Sequence, residues 1–135
     1  KLLPWKMPTA PRHTPGDQII FPASTLGRKG AYELREAVRA IDCKVACLGP
    51  VIESAGFWEG LRTAPTAPHW LDGAAAVVLP AFVEHRPRRL LAALAAGVPV
   101  IATPQCGIGH MPGVTEIPSG NTDALTDALR AALYR

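Results

Sequence analysis

The stretch "VVLPAFVEHRPRRLLAALAAGVPVIAT", Val77 to Thr103, decides the fold. It reads as strand, turn, helix, turn, strand. The apolar run Ala75 to Leu79 has no polar alternation, so it predicts a strand buried on both faces, and Pro80 ends it. Pro87 suits a first helical position, where its missing N–H costs nothing. A helix is expected over Pro87 to Ala96, with Leu90, Leu91 and Leu94 facing inward and Gly97 as its stop. Val100 to Ala102 is the next buried strand. The helix opens with His85, Arg86, Arg88 and Arg89, although the helix dipole already makes that end positive.

The same alternation continues on both sides of this segment. Residues 1–18 are rich in proline (Pro4, Pro8, Pro11, Pro15) without periodicity, and read as a linker or extended arm. The expected domain runs from residue 19 to residue 135. Ile19 to Phe21 predicts a strand stopped by Pro22. "AYELREAVRAI", Ala31 to Ile41, predicts a helix that buries Leu34, Val38 and Ile41 and turns Glu33, Arg35, Glu36 and Arg39 to water. Val45 to Leu48 reads as a strand ended by Gly49-Pro50. A weaker helix is expected over Glu53 to Leu61 and a short strand near Ala67 to His69. Val114 to Ile117 reads as a last short strand. Asn121 or Thr122 caps a final helix with Leu125, Leu129 and Leu133 on one face. Apolar strands alternating with helices predict an open, Rossmann-like α/β domain with a parallel sheet covered on both faces. Ligands of such sheets bind beyond the carboxyl ends of the strands. The loops of interest are therefore 23–30, 49–53, 80–87 and 103–110.

Composition narrows the function. The chain has 135 residues, one domain's worth, and a net charge of +3. That charge is mild and its one cluster is local, which argues against nucleic acid as a partner. No apolar run reaches the roughly 20 residues of a membrane span. The N-terminus lacks the apolar core and cleavage site of a secretory signal, and without an initiator Met the sequence is expected to be a piece of something longer. Cys43, Cys47 and Cys106 have neither disulfide nor zinc spacing, so all three are expected as buried thiols in a cytoplasmic protein.

Three loops carry candidate chemistry. Loop 80–87 feeds a helix N-terminus, whose unpaired N–H groups make an anion site. Cations there are unfavourable by about 0.3–1 kcal/mol each unless an anion sits among them. Arg86, in the turn itself, is the phosphate candidate, Glu84 offsets some of the charge, and Arg88 and Arg89 are read as solvated. Loop 23–30, "ASTLGRKG", places Arg28 and Lys29 between a strand and a helix, where they either reach a phosphate or remain solvated. It lacks the P-loop spacing. Loop 103–110, "TPQCGIGH", has a G-x-G after a strand, a pattern that suits close approach of backbone to a ligand, and ends in His110, a base, a ligand contact or a solvated residue. No Ser/His/Asp or Cys/His set suggests a nucleophile.

Taken in order, Lys29-Gly30 opening a helix, "VVLPAFVEHRP", "LAALAAGVPVIAT", "CGI" and "SGNTDALTDAL" resemble the C-terminal half of GT-B glycosyltransferases of family 4 (group 1 type). The resemblance covers residues 19–133, with Glu84, Pro87, Gly97, Pro99 and Thr103 in register. It implies the donor-binding domain of a two-domain enzyme that moves a sugar from a nucleotide-diphospho sugar to an acceptor with retention of configuration, as in polysaccharide biosynthesis. By the same resemblance Glu84 is the catalytic carboxylate beside the donor sugar. Lys29, Arg28, Ser24, Arg86 and His85 hold the diphosphate, and Gly49, His69 and Gln105 lie toward the nucleoside. Neither metal nor cofactor is implied. The partners implied are the nucleotide sugar and an N-terminal acceptor domain, with peripheral membrane association through that other domain. The sequence departs from the family's pattern at three positions. Ala23 and Ser24 stand where the family has Gly-Arg, and Ala92 stands where it has the glutamate that grips the ribose. The alternative is therefore a non-catalytic nucleotide-binding or scaffolding module. As an isolated half, the domain is expected not to turn over.

Overall fold

The computed structural model of the protein describes residues 18–23, 27–41, 43–49, 56–63, 70–71, 73–82 and 88–133. Among these, five strands form one parallel sheet: β1 (Gln18–Phe21), β2 (Lys44–Cys47), β3 (Ala74–Leu79), β4 (Val100–Ala102) and β5 (Val114–Glu116). The helices are α1 (Ala31–Arg39), α2 (Arg88–Ala95) and α3 (Thr122–Leu133). The strand order is β2-β1-β3-β4-β5. The predicted Rossmann-like sheet is thus present, with each strand and helix boundary within two residues of its expected place. The exception is the expected helix over 53–61. Residues 56–60 form turns instead, since Gly56 and Gly60 deprive a helix of side-chain support at both ends. Residues 53–55 and the strand expected near Ala67 to His69 lie outside the described residues. Thr63 makes an isolated parallel bridge to Val45.

The core follows from the apolar strands. Ile19, Ile20, Phe21, Val77, Val78 and Ile101 are essentially inaccessible to solvent. α1 covers the sheet with Leu34 and Val38, and packs against α3, which buries Leu125 and Leu129. α2 contributes Leu90 and Leu91 to the core. Leu94 and Leu133 are half-buried rather than fully inside. The chain leaves β1 toward β2 in one direction and β3 toward β4 in the other. Right-handed crossovers in opposite directions place α1 and α2 on opposite faces of the sheet.

Three surface expectations change. Arg35 is half-buried rather than turned fully to water. Its guanidinium carbon lies 4.5 Å from the Phe57 ring centroid and 5.1 Å from that of Tyr32, because a weakly hydrated planar cation gains by covering aromatic faces. Glu33 on the same helix is half-buried. Cys47 is half-exposed, unlike the buried Cys43 and Cys106.

Candidate functional site at the switch point of the sheet

β1 lies between β2 and β3, so the chain's winding direction reverses between β1 and β3. Adjacent loops diverge at such a point and leave a crevice at the carboxyl ends of the strands. The loops there are the two singled out by their basic residues, 22–30 and 80–87. They are in contact. The Phe82 N–H donates to the Arg28 carbonyl at 2.7 Å. Gly30, at φ 82°, lies so close to Pro80 that a Cβ at residue 30 would overlap the Pro80 carbonyl. Lys29 therefore sits between two points at which its loop touches the stem of the next one. It closes a short 3-10 turn, Gly27–Lys29, and is half-buried, while Arg28 is exposed.

The stem after β3 is held from its other side as well. The buried Thr103 hydroxyl donates to the Ala81 carbonyl at 2.6 Å, and the Cys106 thiol reaches the Leu79 carbonyl at 3.6 Å. The Thr103 bond satisfies a carbonyl that lies beyond the end of β3. The stem that precedes residues 83–87 is thus held on both flanks. Glu84, His85 and Arg86 lie outside the described residues, as do Ser24 and His69.

The remaining candidates are spread along the rim. The Gly49 N–H donates to the Ala23 carbonyl at 3.2 Å, so this amide braces the two loops beside β1. Gln105 is exposed on the turn Pro104–Cys106, after β4 and on the far side of β3 from Lys29. His110 is exposed. In the G-x-G, the space above Gly109 is occupied by the Glu116 carboxylate, which a Cβ would strike. That glycine therefore admits one of the chain's own side chains.

Two features of the site escaped the sequence reading. Thr103, in register with the family pattern, was given no structural role by it; it is a hydroxyl at the end of an apolar strand. Arg89 is exposed, as read, but also donates from Nη1 to the Pro22 carbonyl at 2.8 Å. Nothing local in the sequence marks this bond, because its partners are 67 residues apart. Cys47 donates to the carbonyls of Ala23 and Gly49, both at 3.3 Å, and burial raises its pKa, so it is a brace rather than a nucleophile. Among the described residues no cluster of three or more His, Cys, Asp or Glu is placed to hold a metal, and no helix is long and apolar enough to cross a membrane.

Comparison with solved structures gives the same fold. The C-terminal domain of the group 1 glycosyl transferase LpcC from Francisella tularensis matches with a TM-score of 0.70 at 17% identity, over 90% of this chain and 78% of that one. TarM matches with a TM-score of 0.71 at 15% identity, over 94% of this chain and 30% of its own. The lipopolysaccharide outer core galactosyltransferase WaaB, in its apo form, matches with a TM-score of 0.67 at 14% identity, over 93% of this chain and 42% of its own. The chain thus spans less than half the length of the last two. No curated protein matches it in sequence. The model of the family "Glycosyl transferases group 1" matches residues 23–135, which take in β2 to β5 and all three helices. The chain belongs to the group 1 glycosyltransferase family and has the fold of the C-terminal domain of its GT-B members.

Proposed function

We propose that the domain binds the nucleotide-diphospho sugar donor of a retaining glycosyltransferase, with the diphosphate in the crevice between β1 and β3. The observation that carries this reading is the contact between the Lys29 loop and the β3 stem, Arg28 to Phe82 and Gly30 to Pro80, at the switch point of a group 1 glycosyltransferase domain. This contact brings the loop that carries Arg28 and Lys29 against the stem that leads into residues 83–87. Lys29, Arg28, Ser24, His85 and Arg86 surround the diphosphate in this reading, together with the amides that open α2. Such donors stabilise the charge that develops on a leaving diphosphate without metal or cofactor, because they are already aimed at it and need no reorganisation. Glu84 lies beside the sugar as the catalytic carboxylate. Gly49, His69 and Gln105 face the nucleoside. The donor-binding domain begins with β1 at Gln18, one residue before the expected boundary, and the residues before it are a linker toward an N-terminal acceptor domain that completes the cleft and carries any membrane association. The enzyme works in the cytoplasm, where such donors are made.

A second reading, a non-catalytic nucleotide-binding or scaffolding module, is favoured by Ala92. This half-buried residue on α2 carries no carboxylate for a ribose. Thermal denaturation with UDP, GDP and ADP separates the two. Donor binding predicts a rise in Tm with one of the three that Lys29→Ala removes. No rise with any of them at millimolar concentration overturns the donor reading.

A further inference from the structure

Arg89 leaves the first turn of α2 and donates to the carbonyl of Pro22, the residue immediately beyond β1. The side chain therefore crosses the switch point. On the α1 side, the packing of Gly30 on Pro80 and the Phe82-to-Arg28 bond bring the two loops together. Arg89 comes from α2, on the opposite face of the sheet. A neutral carbonyl orients its guanidinium without neutralising its charge. That charge sits in the first turn of an eight-residue helix, where the dipole disfavours it. A guanidinium has five N–H groups in a rigid fork, and the bond to Pro22 uses one and fixes the plane of the others. The loop it reaches carries Ala23 and Ser24, and so brings no cation of its own at those positions.

We propose that Arg89 is a diphosphate-binding residue, which supplies from α2 the guanidinium that the loop after β1 does not carry, with its bond to Pro22 holding the fork toward the crevice. The inference rests on the donor reading of the same crevice. A fork offering parallel N–H groups matches two phosphate oxygens. An anion bound there also removes the unfavourable pairing of the cation with the helix end.

The test is calorimetric titration of the wild type, Arg89→Ala, Arg89→Lys and, as a control from the same turn, Arg88→Ala. The probes are UDP, GDP and ADP, their monophosphates, and inorganic pyrophosphate at fixed ionic strength. The expected result is that Arg89→Ala weakens the preferred diphosphate and pyrophosphate about tenfold or more, the scale of one lost charged hydrogen bond. The matching monophosphate weakens less, Arg89→Lys recovers only part, and Arg88→Ala changes little. Equal weakening of mono- and diphosphate, with a lower Tm in the absence of ligand, makes Arg89 a loop clamp only and overturns the inference. So does an Arg88→Ala effect as large as that of Arg89→Ala, or no effect of Arg89→Ala. In those cases wild-type binding abolished by Lys29→Ala leaves the donor reading standing. If Arg89→Ala does not fold, Arg89→Lys decides: unchanged diphosphate preference without the fork overturns the inference. A wild type that binds neither diphosphate nor pyrophosphate overturns both.

Discussion

Gly30 is the residue on which the two loops close. Its φ of 82° is in the left-handed region, and the Pro80 carbonyl occupies the space a side chain would need. The conformational cost of a non-glycine residue there is about 1–2 kcal/mol, and forcing a methyl into packed backbone adds about 1–3 kcal/mol. Gly97 is the internal control: its φ is 86°, but nothing lies within 4 Å of an added Cβ. Gly97→Ala should therefore show only the first cost and Gly30→Ala both, measured by urea unfolding. Equal losses would mean that the Pro80 contact is not tight. Cys47 gives a pH-dependent prediction. Burial raises its pKa, so the folded state keeps the thiol proton to higher pH than the unfolded chain does. Its contribution to stability is complete below the unfolded thiol pKa, about 8.5, and is lost as pH rises past it. Cys47→Ser, which keeps a hydroxyl donor and removes the titration, should flatten the alkaline decline in denaturation midpoint. The sequence reading made Cys47 an inert apolar filler because composition shows how often thiols are buried, not which carbonyls surround this one.

The elements were legible because their signals are local. An unbroken run such as Ala74–Leu79 and the Pro-to-Gly bracketing of α2 need no tertiary information. The expected 53–61 helix failed over its described part because Phe57 and Trp58 pack edge-on, with ring centroids 4.8 Å apart, in a turn between glycines. The braces between elements were not legible, because each joins distant residues. Thr103 is the clearest case, since it ties the residue after β4 to the stem after β3. Thr103→Val keeps the volume and strands the Ala81 carbonyl, which should cost about 1–3 kcal/mol. If that stem positions loop 83–87 for a ligand, the variant should also weaken nucleoside diphosphate binding more than its stability loss alone explains. A loss of stability with ligand affinity intact would make Thr103 structural only.

At the scale of the molecule, strand order converts a list of loops into a site. From the sequence, four loops stood as candidates; the reversal between β1 and β3 selects two of them. That order was not legible, because each strand alone is an apolar run compatible with several neighbours. The roles proposed for residues 83–87 rest on the family pattern alone. If the chain is the donor half of a two-domain enzyme, it should bind a nucleoside diphosphate and yet release no sugar from the corresponding donor when assayed alone. Steady transfer to an acceptor by these 135 residues would contradict the need for a second domain.

The place of β1 also sets the timing of folding. It is the first of the described strands, yet both its neighbours, Lys44–Cys47 and Ala74–Leu79, come later. During synthesis it emerges as an apolar segment with two bare edges and cannot complete its pairing until everything through residue 79 has cleared the ribosome. Nascent chains arrested before that point should be sticky and protease-sensitive, and should acquire protection in one step once β3 is available.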